Sequence, residues 1–176
     1  MQYALNEREG LCQTVRVRNE STQDMPFGFG FHTSFQTPPC ADGSCRIFVP
    51  VGRECLLERT RIRPTGAYVK DTALAQALCG TGLAPQAQKV SHLFESAPGC
   101  VEVRDDTHGV SVRYEVDAGF RFWMLWNQDA SGEFFCIEPQ TWTVDAPNSL
   151  LPPEQSGMDA ISPGDARTLT TRLRIE

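Results

Sequence analysis

Strand periodicity dominates the pattern of apolar and polar positions. Residues 13–18 (Gln-Thr-Val-Arg-Val-Arg) alternate with a period of two, as a half-buried strand does, and the polar run 19–24 then predicts a hairpin or corner. Residues 45–51 and 55–62 read as two short strands around Gly52-Arg53, closed by Pro64-Thr65-Gly66. From residue 90 onward the signals come closely: 90–95, 100–104, 110–116, 120–126, 134–138 and 168–175 all read as strands. Turn residues such as 105–109 and 129–132 separate them. Only 71–78 has helical content, and at that length it predicts a helical turn within a loop, with Asp71 as a plausible cap. Residues 148–164, rich in Pro and Gly, predict a long loop before the last strand. Roughly ten short strands with almost no amphipathic helix indicate an all-β antiparallel β-sandwich.

Composition narrows the partners. The 176 residues, 40% hydrophobic, suffice for one domain over 1–176. A net charge of −6 without a Lys/Arg run argues against nucleic acid and against an anionic membrane surface. No stretch approaches the roughly 18–20 apolar residues of a membrane span, and the polar start lacks a signal-peptide core, so a cytoplasmic location is expected. Seven scattered cysteines suit reduced thiols. Cys40 and Cys45 form the one close pair, but without a second pair at zinc-ligand spacing they predict a reduced loop pair and no metal site.

Two stretches carry chemistry. In Phe134-Phe135-Cys136-Ile137-Glu138-Pro139-Gln140-Thr141-Trp142, an apolar strand delivers the Glu138 carboxylate, and the proline is expected to end the strand and fix its exit. Taken alone, Glu138 reads equally as a general base or as a solvated strand-edge carboxylate. In Pro26-Phe27-Gly28-Phe29-Gly30-Phe31-His32-Thr33-Ser34-Phe35, aromatic residues alternate with glycine up to His32. Interior glycines weaken a strand, so this composition predicts close approach of a ligand or another backbone. Of the other histidines, His108 reads as a solvated turn residue and His92 as a strand residue that is exposed or locally bonded.

The second stretch resembles the P-x-G-x-G-x-H-[PT]-Y-F motif of the aldose 1-epimerase (galactose mutarotase-like) family. Glu138-Pro139-Gln140-Thr141 and Asp145-Ala146-Pro147-Asn148 resemble that family's E-P-x-T and d-A-x-N segments, in matching order and spacing. Arg63-Pro64-Thr65-Gly66 is similar to its L-P-T-G turn, and Ile161-Ser162-Pro163-Gly164-Asp165 to its L-x-P-G-E ending. The resemblance covers the whole chain but only the second half of the family's domain. It implies a partial galactose mutarotase-like supersandwich that lacks the N-terminal part with its Asn-Arg sugar-binding residues and a second histidine.

The resemblance implies His32 as the general acid on the ring oxygen of a hexose of glucose or galactose type, and Glu138 as the general base on the anomeric hydroxyl. The outcome would be interconversion of α and β anomers with no cofactor and no metal. Such a pair can do both halves of hemiacetal opening near neutral pH. Phe31, Phe35 and Trp142 are candidates for the sugar's apolar face, although aromatic residues on strands are more often core. Ser91 stands where the family commonly has a hydroxyl-binding Asp, with His92 beside it as a compensating group. Thr33-Ser34 replaces Pro-Tyr or Thr-Tyr, and Arg63 an apolar residue. An isomerase is implied if the chain is competent without the missing part; the alternative is a non-catalytic carbohydrate-binding or structural remnant. Self-association, or strand addition by a complementing N-terminal half, would complete the sheets.

Overall fold

The computed structural model describes residues 1–37, 44–58, 60–131 and 133–176; Cys40, and with it the Cys40/Cys45 pair, lies outside the described residues. Along the chain the strands are β1 (Gln2–Asn6), β2 (Gly10–Arg18), β3 (Met25–Pro26), β4 (Ser34–Gln36), β5 (Cys45–Phe48), β6 (Val51–Leu57) and β7 (Pro64–Val69). A short helix, α1 (Ala73–Gln76), leads to β8 (Ser91–Ser96), β9 (Val101–Asp105), β10 (Val110–Val116), β11 (Phe122–Trp126) and β12 (Phe134–Gln140). The helical turn α2 (Pro153–Ser156), β13 (Ala160–Ile161) and β14 (Ala166–Ile175) complete the order.

Two antiparallel sheets result, β1-β2-β14-β10-β9-β5 and β4-β12-β11-β8-β6-β7, with β3 and β13 forming a small ladder of their own. The all-β antiparallel sandwich read from the periodicity is the fold found. Alternation along β11 and β12 sends Trp123, Leu125, Phe135 and Ile137 inward, where they meet Val101 and Tyr114 of the first sheet and Leu74 and Leu78 from the α1 region.

The opposite face of the second sheet is covered as well. Cys55, Leu93, Phe122 and Met124 form a second buried cluster with Leu57 and Tyr68. Residues 141–159 lie over it: the Tyr68 hydroxyl donates to the Gln155 carbonyl at 2.9 Å, and Gly157, at φ 76°, brings its backbone against Phe122 and Trp142. Covering on both sides explains the unbroken apolar run Phe122-Trp123-Met124-Leu125-Trp126. The Pro/Gly-rich loop expected over 148–164 is therefore an ordered covering segment that contains α2 and β13.

Several boundaries differ from expectation for local reasons. β12 does not stop at Glu138 but runs through Pro139, which pairs with Trp123. The backbone N–H groups of Ile137 and Thr141 both point at residues 29–33, so the donor that Pro139 lacks falls on that irregular side and not on the β11 ladder. Pro64, expected in a turn, opens β7, where a first residue needs no ladder donor. β1 is exposed along its whole length and shows no alternation to read. Thr72, not Asp71, caps α1. No helix among the described residues is long and apolar enough to cross a membrane.

On the covered face Arg53 grips Glu95 with two hydrogen bonds, 2.7 and 2.5 Å, and stacks over Tyr68 at 4.7 Å. The Arg53 hydrogen bond holds the Glu95 carboxyl below its usual value against the opposing cost of burial. A depressed folded-state pKa gives stability that is present above the unfolded value and lost as pH falls through the folded one. Glu95→Gln is therefore expected to cost about 0.5–1 kcal/mol at pH 7. In urea melts the difference from wild type should begin to shrink as pH falls past the ordinary carboxylate value of about 4.3 and vanish only below the depressed folded-state value; a gap that stays constant down to full protonation would contradict the ion-pair account.

Candidate functional site

Glu138 leaves β12 on the face opposite Ile137, in the same row as Cys136 and Gln140. Its side chain is only 11% exposed, whereas that of His32 is 64% exposed, and His32 Nε2 lies 3.2 Å from Glu138 Oε1. Burial pushes the Glu138 carboxyl above the usual carboxylate range, and His32 and a hydrogen bond from Gln140 pull it partly back. The His32 ring meets Trp126 edge-on at 6.2 Å, and Trp126 rests on Phe134 at 5.4 Å. The His32–Glu138 pair is thus propped from one side by aromatic packing and left open on the other.

Both glycines before His32 have a physical reason. A Cβ on Gly28 would sit 1.7 Å from Cε2 of Trp142, so the indole lies flat on the bare backbone there. A Cβ on Gly30 would come within 3.0 Å of the Pro139 carbonyl, where the chain bridges to Gln140. The close approach read from the alternating glycines is made by an indole and a backbone of this same chain. Two further bonds fasten the segments: Phe29 N–H donates to Thr141 Oγ1 and Thr141 N–H to the Phe29 carbonyl, each at 2.9 Å. Glu138, His32 and Trp142 are thereby held around one cleft of about 330 Å³, which Gln140 and Asp145 also line.

Asp145 adopts φ 57°, a conformation costly for a non-glycine residue, at the head of the turn Ala146–Asn148. Asn148 Nδ2 donates to Asp145 Oδ1 at 2.6 Å, and Arg63 Nε lies 2.7 Å from Asp145 Oδ2. The arginine that replaces an apolar residue in the Pro-Thr-Gly turn therefore ties β7 to the cleft wall. Arg63→Leu is expected to cost about 0.5–1 kcal/mol in urea unfolding, and a double-mutant cycle with Asp145→Ala should recover most of it as coupling. Strict additivity would show that the pair contributes nothing.

The amino-acid sequence matches the aldose 1-epimerase family model over residues 1–174. The chain belongs to the aldose 1-epimerase family. Among solved structures it is similar to a galactose mutarotase-like protein from Clostridium acetobutylicum, at 25% identity and TM-score 0.87, covering 96% of this chain and 53% of that one. It also shares the fold of a galactose mutarotase-like protein from Lactobacillus casei (18% identity, TM-score 0.72, covering 99% of this chain and 61% of that one). A galactose mutarotase related enzyme from Lactobacillus acidophilus gives 19% identity and TM-score 0.71, with 99% of this chain and 59% of that one covered. The chain spans about half the length of these structures.

The other residues singled out in this aldose 1-epimerase family chain lie elsewhere. Phe35 turns inward against the core and meets Tyr114 at 6.0 Å. Ser91 sits two strands from Glu138, on β8, and borders a separate cleft of about 620 Å³ with Cys55, Leu57 and Lys89. His92, one residue on, borders the same cleft, stacks on the buried Phe94 and bonds Glu54 Oε1 through Nδ1 at 2.7 Å. His108 is exposed and bonds Asp105 within its own turn at 2.7 Å. Cys136, Gln140, Trp126 and Arg63, which the sequence did not single out for the site, border or support it. Period two from Glu138 was the available signal for Cys136 and Gln140. Among the described residues, the donor atoms of His32, Cys136 and Glu138 lie within 4.8 Å of one another and form the one group able to hold a metal.

Proposed function

We propose that the chain interconverts the α and β anomers of a hexose, with His32 as general acid and Glu138 as general base. The carrying observation is the 3.2 Å contact between His32 Nε2 and a largely buried Glu138 carboxylate in an open cleft. Mutarotation needs this convergence, because the ring oxygen and the anomeric hydroxyl are bonded to the same carbon. Acid and base must therefore reach two oxygens that are immediate neighbours. The imidazolium of His32 donates to the ring oxygen while Glu138 takes the hydroxyl proton; the C1–O5 bond breaks and a C1 carbonyl forms. Rotation about C1–C2 exposes the other face, and the reverse transfers close the ring as the other anomer. Burial supports the role of Glu138, since it makes the carboxylate a stronger base than an exposed one. The Trp142 indole forms the cleft wall for a sugar's apolar face, and Gln140 and Asp145 offer polar contacts to hydroxyls. At about 330 Å³ the cleft falls at the small end of ligand sites, roughly 300–1,000 Å³.

The test is polarimetry of freshly dissolved α-D-glucose and α-D-galactose. The chain should accelerate equilibration and His32→Ala should not; a wild-type rate equal to that of buffer ends the catalytic reading. A second reading, carbohydrate binding without turnover, is favoured by the span of about half the length of the related structures. Sugar affinity without acceleration would select it. A second copy, or a polypeptide equivalent to the other half of those structures, adding to the exposed β1 edge would complete the sheet under either reading.

A further inference from the structure

We infer that His32, Cys136 and Glu138 form a coordination site for a borderline-soft divalent cation of the zinc type, and that cation occupancy and sugar turnover exclude one another. The three donor atoms lie within 4.8 Å of one another. Bond lengths of about 2.3 Å to sulfur and 2.0–2.2 Å to nitrogen or oxygen place tetrahedral neighbours roughly 3.3–3.7 Å apart. The widest separation must therefore close by about 1 Å. His32 Nε2 and Glu138 Oε1 already stand 3.2 Å apart, so the closure concerns Cys136 Sγ, which shares one face of β12 with Glu138.

A supporting shell is in place around each donor. Ser34 Oγ stands 3.0 Å from Cys136 Sγ and can donate to a thiolate. Gln140 bonds the Glu138 carboxylate, and Trp126 sets the plane of the His32 ring. Outer partners of this kind orient ligands and raise affinity. One thiolate, one imidazole and one carboxylate suit Zn²⁺ or Co²⁺ and not the oxygen-seeking Mg²⁺ or Ca²⁺. The fourth position opens to the cleft, where water can fill it.

Coordination releases the Cys136 thiol proton to solvent and engages the imidazole nitrogen and carboxylate oxygen that the acid–base pair uses. The exclusion of turnover rests on the proposed function; the cation site itself does not.

The test is titration of the full chain with Co²⁺ under a non-thiol reductant, read as the near-ultraviolet thiolate-to-cobalt charge-transfer band. Wild type should develop the band at one equivalent and Cys136→Ser should not. His32→Gln, at an exposed position safe for folding, should weaken binding about tenfold or more. No band, or a full band in folded Cys136→Ser, overturns the site. If Cys136→Ser fails to fold, unchanged affinity in His32→Gln overturns it instead. Polarimetry separates the two readings. Cobalt binding without mutarotation keeps the cation site and ends the catalytic one, whereas turnover indifferent to saturating Zn²⁺ does the reverse.

Discussion

Glu138→Gln is expected to lower the rate constant for mutarotation by about 10²–10⁴-fold, the range for loss of a positioned general base, while the Michaelis constant changes little. The amide keeps the size of the side chain and a carbonyl that can still accept from Gln140. It cannot take a proton from the anomeric hydroxyl. Glu138 is largely buried on β12, and the protein disfavours its charge there. A neutral isostere removes that cost, so the melting temperature should hold or rise. Rate loss and stability are predicted to move in opposite directions, as for a functional group placed at a cost to the fold. Polarimetric initial rates beside a thermal melt check both. A rate within threefold of wild type, or a loss that follows a lowered melting temperature, would sink the assignment.

Gly28→Ala should have the largest effect on the fold. The new methyl would fall 1.7 Å from Cε2 and 2.1 Å from Cδ2 of Trp142, inside the ring and far below any tolerable contact. The indole cannot withdraw freely, because Gly157 packs its backbone against the Trp142 Cα side. A cost of about 3 kcal/mol is expected, at the upper end of overpacking penalties, with tryptophan emission shifted to the red as the ring is driven toward solvent. In a Trp142→Ala background the same substitution should cost little. A change below about 0.5 kcal/mol with unshifted emission would show that the ring does not rest on Gly28.

These two residues also mark how far the sequence could be read. The strands at 13–18, 110–116 and 134–138 were legible because half-buried or buried strands impose a period or an apolar run. Gly28 and Gly30 were legible as sites of close approach, though not as seats for Trp142 and for the Pro139–Gln140 backbone, since that pairing joins residues more than a hundred positions apart. Ser91 and His92 show the limit more sharply. Period two places them on opposite faces, but which face belongs to the cleft depends on the register Ser91–Trp126–Cys136 across three strands. No local pattern carries a register. Phe35, an aromatic strand residue of the kind more often in a core than in a cleft, packs against the core beside Tyr114. The reason for Arg63 in place of an apolar residue is not legible locally, because its partner, Asp145, comes from another element altogether.

β14 has a further consequence for how the chain assembles. It lies between β2 and β10, with Arg18 opposite Ala166 and Val116 opposite Thr171. The hairpin of β1 and β2 is synthesised about 150 residues before β14, yet its inner edge has no native neighbour among the described residues until β14 follows. Such distant closure slows folding and leaves an unpaired edge open to wrong partners in the interval. Translation arrested before residue 166 should therefore yield nascent chains that depend on chaperones, and synthesis of β14 should reduce that dependence.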